Sequence, residues 1–420
     1  MIVESIMLPM AKRDEQCKLR KVLNGSSILV LLLISSLSVV IASAALERSQ
    51  DPDENTVVNL TRSYLLVGGQ NGTWFKQGQF PRLYQIHLQD YSVVQLTPVH
   101  SRGTVWGGGF NGSQWLVSGW GSDDKSRGPY LWLYDGTHVI TEGSLDSYGE
   151  ASTWSGGDIF SASYNGKQWL VSGLGSGVLP SYRKTSTNHM ALGVFNGRNF
   201  TDLSSLIPHQ GDEILYTNEW NGQYWLVGGG YMRTGVLLRF DGQKVTDLTR
   251  MIKSAVPSFG SVQSIEWNGE SWLLGGYSFL ASYDGSKFTD LTSQISNALK
   301  ANVGLLGVNT ISWNGRSWLI GGGTSMAGLV HQYAWLVSYT SEGFFRLTET
   351  LPEYVSHPKS SSAILSVAYS PVNSKWFLGG FADNHAILLS ISGGNEVSDE
   401  SYLVNTMSYV TWIAYGEYTN

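Results

Sequence analysis

The sequence predicts an all-β fold, a seven-bladed β-propeller in which each blade contains four antiparallel strands. Three observations lead to this prediction. The chain holds 49 Gly, 16 Trp and 21 Tyr with only 14% charged residues, a composition typical of aromatic strands joined by glycine-marked turns. A motif of the form aromatic-Asn-Gly-x-x-Trp-Leu-aliphatic recurs along the chain. Asn-Gly or Asp-Gly pairs, which are strong hairpin signals, separate the strand-like runs within the repeats.

The recurring motif sets the number of units. Five complete copies begin at Phe110, Tyr164, Trp220, Trp267 and Trp313. Two further copies keep only the second half of the motif, at Leu65–Gly69 and Trp376–Gly380. The aligned positions are 65, 115, 169, 225, 272, 318 and 376, so the period is 46 to 58 residues. Self-similarity at such a period, with four strands per unit, indicates propeller blades. Because the Trp and Gly-Gly positions recur in the units, we expect them to serve packing between blades.

One unit shows the strand pattern most clearly. It contains four strand-like runs, at Val262–Trp267, Ser271–Gly275, Phe279–Tyr283 and Lys287–Leu291. Asn268-Gly269 joins the first two runs and Asp284-Gly285 joins the last two. We predict that each of these pairs forms a two-residue type I′ turn, which requires positive φ at both central residues.

The C-terminal tail is predicted to close the ring. The first unit lacks its opening strand, whereas the chain continues beyond the last complete unit with Val404–Tyr415. This tail resembles the opening strand of another unit, Val308–Trp313. The shared blade brings the predicted total to seven.

The N-terminal region is predicted to direct export. Residues 1–45 contain an uncharged apolar stretch, Ile28–Ile41, preceded by basic residues and followed by Ala42-Ser43-Ala44. A basic flank, an apolar centre and a small-x-small site indicate a secretory signal peptide. An uncleaved signal-anchor helix remains open, because a spanning helix needs about 20 residues and this region can supply them. In either case the positive flank stays on the cytoplasmic side and the rest of the chain faces outward.

The expected organisation is therefore a hydrophobic helix within residues 1–45, an acidic stalk at 46–61 and the propeller at 62–420. The protein is expected outside the cell, either secreted or held at the membrane by the helix, as a monomeric propeller. Cys17 lies ahead of the apolar stretch and is the only cysteine, so the propeller has no disulfide. The net charge of −6 argues against a nucleic-acid partner.

The Gly-Gly at the end of the second strand resembles the kelch repeat, and the Asn-Gly-x-x-Trp element resembles the Asp-box of sialidase-like propellers. These resemblances span about residues 62–420 and imply a propeller fold. The units depart from both patterns. They lack the separated Tyr and Trp of kelch units, and they carry Asn for Asp at a turn between the first and second strands. The resemblance therefore implies no functional residue.

Strand order divides the propeller into two faces. The turns from first to second and from third to fourth strand form one face, which we call the hairpin face. The second-to-third loops and the links between blades form the opposite face, which we call the variable-loop face. Binding residues usually collect on variable loops of a rigid scaffold. Candidate ligand-binding residues on this face are Trp74, Arg127, Tyr182, Arg183, His189, Tyr231, Arg233, His331, Tyr333 and His385.

The favoured function is a surface or secreted binding module that holds a glycan, a peptide or a protein on the variable-loop face. An extracellular carbohydrate-active hydrolase or lyase and a structural role in the cell envelope remain alternatives. We expect no metal and no cofactor, because the histidines show no ligand spacing and no P-loop, Gly-x-Ser-x-Gly, His-Glu-x-x-His or EF-hand motif occurs. An enzyme should show paired carboxylates or a metal at a deep channel, whereas a binder should show an aromatic or apolar patch.

Overall fold

A computed structural model describes residues 61–72, 80–96, 102–122, 127–144, 154, 157–175, 189–208, 212–231, 233–300, 307–323, 333–393 and 395–419. The predicted helix within residues 1–45 and the predicted stalk, except Thr61, lie outside these residues. Within the described ranges no helix combines the length and the apolar character needed to cross a membrane.

Seven antiparallel sheets of four strands each form the blades of the propeller, which confirms the predicted fold class. From inner to outer strand, blade 1 contains β28 (Tyr409–Thr419), β1 (Thr61–Asn71), β2 (Phe80–His87) and β3 (Val93–Gln95). Blade 2 contains β4 (Arg102–Phe110), β5 (Trp115–Ser122), β6 (Arg127–Tyr134) and β7 (Val139–Ser144). Blade 3 contains β8 (Asp158–Tyr164), β9 (Trp169–Gly175), β10 (His189–Phe195) and β11 (Phe200–Asp202).

The remaining blades follow the same order. Blade 4 contains β12 (Ile214–Trp220), β13 (Trp225–Tyr231), β14 (Thr234–Phe240) and β15 (Val245–Asp247). Blade 5 contains β16 (Val262–Trp267), β17 (Trp272–Gly276), β18 (Phe279–Tyr283) and β19 (Phe288–Asp290). Blade 6 contains β20 (Val308–Trp313), β21 (Trp318–Gly322), β22 (Trp335–Thr340) and β23 (Gly343–Arg346). Blade 7 contains β24 (Ser362–Ser370), β25 (Lys375–Ala382), β26 (His385–Ile391) and β27 (Val397–Asp399).

The C-terminal strand closes the ring as predicted. β28 pairs antiparallel with β1, with Leu65 opposite Tyr415 and Thr61 opposite Thr419. Each inner strand contacts the inner strands of both neighbouring blades, and β28 contacts β24 on one side and β4 on the other. The seven inner strands therefore surround a central channel.

The hairpin turns are not the predicted two-residue type I′ turns. Trp267 pairs with Trp272, so the loop between them has four residues, and only Gly269 in it has a positive φ, of 98°. The Asn268 Oδ1 accepts the backbone N–H groups of Glu270 and Ser271, at 2.9 and 2.7 Å. The same pair of hydrogen bonds recurs at nine turns, which begin at Asn111, Asp135, Asn165, Asn196, Asn221, Asp241, Asn268, Asp284 and Asn314. Asn and Asp alternate at this position because the turn needs only an oxygen acceptor.

The core lies between adjacent blades, where the repeated Trp and Gly-Gly positions were expected to pack. Trp272 is fully buried, and its ring centroid lies 4.9 Å from that of Trp267. A Cβ on Gly275 would lie 2.3 Å from the Val308 side chain of the next blade. The glycine therefore allows neighbouring sheets to approach closely, and its recurrence reflects packing.

Short helices follow several outer strands. They are α1 (Thr249–Ala255), α2 (Thr292–Leu299) and α3 (Glu353–Ser356), with 3₁₀ helices at Ser204–Leu206, Thr348–Thr350 and Ser401–Val404. Before α1, the Asp247 Oδ1 accepts the N–H of Thr249 at 2.8 Å. The Thr249 Oγ1 accepts the N–H of Leu237 at 3.0 Å. The aspartate of the Thr-Asp-Leu element thus accepts a hydrogen bond from the first residue of the helix.

Candidate functional site

The predicted loop residues lie on several blades. His189, Tyr231, Arg233, Tyr333 and His385 stand where the second strand gives way to the third in blades 3, 4, 6 and 7, and Arg127 begins the third strand of blade 2. Trp74, Tyr182, Arg183 and His331 lie outside the described residues.

No hydrogen bond, ion pair or ring contact joins two of the five candidates whose side chains the structure describes. The His385 Nδ1 lies 3.0 Å from the backbone oxygen of Asp383, and the Tyr333 ring lies 6.3 Å from the ring of His357. Tyr231 is 55% exposed. A shared role of the candidates in binding therefore stays a prediction.

A feature that the sequence analysis missed lies in the inner strands. In each of them the pairing register to the second strand shifts by one residue, which is the mark of a β-bulge. The extra residue is left out of the ladder and half-buried in all seven blades. These seven bulge residues are Trp106, Phe160, Tyr216, Gln263, Asn309, Leu365 and Thr411.

The bulge residues line one cavity of about 200 Å³ inside the channel, together with the residues that follow them. The lining is asymmetric. Trp106, Phe160 and Tyr216, on three adjacent blades, form what we call the aromatic arc, with successive ring centroids 5.3 Å apart. The other bulge residues of the lining include the amide side chains of Gln263 and Asn309. One side of the cavity thus offers aromatic surface, whereas the other combines amide and hydroxyl groups with the side chain of Leu365.

In four blades, the residue after the bulge forms a hydrogen bond to the next inner strand. Hydroxyl oxygens of Ser161, Ser264, Thr310 and Ser366 accept backbone N–H groups of the next inner strand at 2.9 to 3.3 Å. Each bond fastens one inner strand to the next and satisfies an amide on an edge that has no further strand to pair with. The wall of the cavity is therefore held by hydrogen bonds between blades.

A pair of carboxylates lies farther along two adjacent inner strands, toward the hairpin face. Glu219 and Glu266 each stand three residues after the bulge, on β12 and β16, and both are half-buried. The Glu266 Oε1 accepts the N–H of Trp313 at 3.3 Å. Burial raises the pKa of Glu219 to about 7, and burial together with the charge of Glu219 raises the pKa of Glu266 well above its usual range.

Tyr216 connects the cavity with the variable-loop face. Burial raises the pKa of Tyr216, and the nearby Tyr231 and Asp158 raise it further because their negative charges would oppose its ionisation. Tyr231, a predicted site residue, thus lies close enough to Tyr216 of the cavity lining to affect its ionisation.

Comparison with known proteins identifies a fold and no family. No family model and no curated protein matches the sequence. Similar solved structures include a candidate 6-phosphogluconolactonase from Bacteroides fragilis, with 9% identity, a TM-score of 0.50 and coverage of 87% of this chain and 100% of that chain. The β-propeller domain of the Trilobed protease from Pyrococcus furiosus has 11% identity, a TM-score of 0.44 and coverage of 80% and 97%. YCF48 bound to D1 peptide has 13% identity, a TM-score of 0.43 and coverage of 72% and 82%. At such identities the likeness concerns the fold alone.

Proposed function

We propose that this protein is an exported, monomeric binding module that holds a peptide or protein partner at the mouth of the channel on its variable-loop face. The observation that carries the proposal is the asymmetric cavity, in which the aromatic arc faces amide side chains. Recognition sites commonly combine apolar and aromatic walls with a few placed polar groups.

The size of the cavity favours a macromolecular partner. Sites for whole small-molecule ligands usually enclose about 300 to 1,000 Å³. The cavity here, at about 200 Å³, suits a single side chain or a group of similar size. The remainder of such a partner would lie on the surrounding loops, where Tyr231 exposes 55% of its surface.

The proposal of export rests on the N-terminal sequence. The apolar stretch Ile28–Ile41, its basic flank and Ala42-Ser43-Ala44 support secretion or anchoring with the propeller outside. Both forms would leave the binding face available to an extracellular partner.

An extracellular carbohydrate-active hydrolase or lyase is the second candidate function, and the Glu219–Glu266 pair favours it. Glycoside hydrolases usually cleave the glycosidic bond with two carboxyl groups, whose pKa values are raised or differ from each other. It ranks second because neither carboxylate belongs to the lining of the cavity, and Glu266 already accepts a backbone hydrogen bond. Polysaccharide turnover by the full chain that is lost in Glu219→Gln would establish this alternative.

The proposed function is tested by probing peptide and glycan arrays with the purified full chain and with two matched aromatic variants. Trp106→Ala removes part of the aromatic arc, whereas Phe345→Ala removes an exposed aromatic ring from the outer strand of blade 6. We expect peptide binding that falls at least about tenfold in Trp106→Ala, a loss of about 1.4 kcal/mol, and is unchanged in Phe345→Ala. Equal binding by the wild type and Trp106→Ala would refute the channel as the site, and binding to glycans alone would refute the peptide partner.

A further inference from the structure

The inner strands are acidic as well as aromatic. Their only basic residue is Arg102, which is exposed at the first position of β4. Their acidic residues are Asp158, Glu219, Glu266 and Glu417. The described inner strands therefore carry more acidic than basic residues.

The strands that pack around the carboxylate pair lack basic residues. The inner and second strands of blades 3 to 6, which pack against one another there, contain no Lys, Arg or His. Among the described residues, neither Glu219 nor Glu266 makes an ion pair. Two neighbouring carboxyl groups thus lie in the interior of the ring on strands that contain no basic side chain.

The aromatic arc lies at the level of the cavity, and the carboxylates lie farther along the inner strands, toward the hairpin face. The faces of Trp, Tyr and Phe rings attract cations, most strongly where water is excluded. Glu219 and Glu266 stand two residues beyond Thr217 and Ser264 of the cavity wall, a distance of about 7 Å along a strand. An extended Lys or Arg side chain, with its long aliphatic stem, has this reach.

We infer that the channel receives the cationic side chain of an arginine or lysine of the partner, with its stem against the aromatic arc and its charged end toward the Glu219–Glu266 pair. This inference rests on the proposed function and names the chemistry that the partner presents. Arginine suits the site especially well, because a planar guanidinium both stacks on aromatic faces and forms paired hydrogen bonds with carboxylates.

Binding of such a cation is linked to protons. Burial and mutual repulsion raise the pKa of both carboxyl groups, so a bound cation favours their ionised form and releases protons. The other titratable groups on the strands packed around the pair are Asp158, Tyr164, Tyr216 and Tyr231, and none of them carries positive charge. Affinity for the cation is therefore expected to rise between about pH 5 and pH 8.

The test compares two probes that differ in charge and little in shape, N-acetyl-arginine N-methylamide and the corresponding derivative of citrulline. Binding to the full chain is measured by saturation-transfer NMR at about pH 5 and pH 8. At about pH 8 we expect the arginine probe to bind at least about tenfold more tightly than the citrulline probe. At about pH 5 we expect this ratio to be smaller. In the double variant Glu219→Gln/Glu266→Gln the preference is expected to disappear, while Glu270→Gln on the hairpin face leaves it unchanged.

Equal affinity for the two probes, or an arginine preference that survives the double variant, would overturn the inference. The wild-type pH dependence tests it independently of how the variants fold. A chain that binds array peptides without any arginine preference would overturn the inference and leave the proposed function standing, whereas failure to bind any array peptide would overturn the proposed function itself.

Discussion

Two positions of the blade, the bulge of the inner strand and the turn residue five places later, behave in opposite ways. The first position of the hairpin turn is Asn in the five blades that carry the complete motif, from Asn111 to Asn314, and its side chain makes the same two hydrogen bonds each time. The bulge residue is different in every blade and ranges from Trp106 to Thr411. The turn residue recurs because its side chain completes the turn. The bulge residue can differ between blades because it has no pairing partner on the second strand. The bulge residues therefore give the cavity its specific lining, whereas the turn residues serve the fold. Four predictions test this contrast.

The largest effect is expected from removing β28, the inner strand of blade 1, which carries the bulge residue Thr411. Deletion of residues 404–420 removes β28, which pairs with β1 and contacts β24 and β4. We expect loss of cooperative unfolding of the whole propeller, measured by circular dichroism during heating, because the ring opens and two blade interfaces are exposed. Deletion of Asn420 alone is the control. An unchanged melting curve for the long deletion would contradict ring closure.

The second prediction compares two tryptophans. Trp272→Ala, at a repeated and fully buried position, is expected to cost about 3 to 5 kcal/mol in the free energy of unfolding. Trp106→Ala, at a half-buried bulge, is expected to cost less than half of that and to weaken partner binding. Denaturant unfolding of both variants measures the difference. Equal losses of stability would mean that the bulge residues serve packing.

The third prediction concerns the carboxylate pair. Because the folded protein raises the pKa of Glu219 and Glu266, it binds more protons than the unfolded chain between about pH 4.5 and pH 7. This pair therefore stabilises the fold least at the upper end of that window, and its contribution falls as the pH rises. We expect Glu266→Gln to reduce the loss of stability between about pH 4.5 and pH 7, measured by chemical unfolding at both pH values. A pH profile identical to that of the wild type would show that the fold does not raise the pKa of Glu266.

The smallest effect is expected at the repeated turn. Asn268→Ala removes the acceptor for two backbone N–H groups and should cost about 1 kcal/mol, whereas Asn268→Asp keeps it and should stay within about 0.5 kcal/mol. Chemical unfolding of the two variants distinguishes them. Equal destabilisation by Ala and Asp would show that the amide nitrogen matters as well.

The strand pattern could be predicted because it repeats. The predicted Val262–Trp267 and Phe279–Tyr283 have the bounds found in the structure, and the closing strand was recognised from its likeness to Val308–Trp313. The type I′ prediction at Asn268-Gly269 was wrong because the Asn side chain completes a longer turn that the dipeptide alone does not reveal.

The site was harder to predict because it depends on relations between strands. A β-bulge is a shift in register, and residues such as Phe160 or Gln263 carry no mark of it in the sequence. One signal was available, since each bulge residue stands four places before an aromatic residue of the inner strand, as Tyr216 does before Trp220. The Glu219–Glu266 pair carried a signal that was not used, since both residues precede the repeated motif at the same position of consecutive units.

The pairing of β1 with β28 has a mechanical consequence. Thr61 and Thr419 lie opposite each other, so both ends of the propeller leave side by side on the hairpin face. A force that separates these ends loads the hydrogen bonds of the closing pair one after another, as in opening a zipper, instead of loading them all together. Tension on both ends would therefore open the closing pair at a low force, and a molecule tethered at only one end would avoid that load.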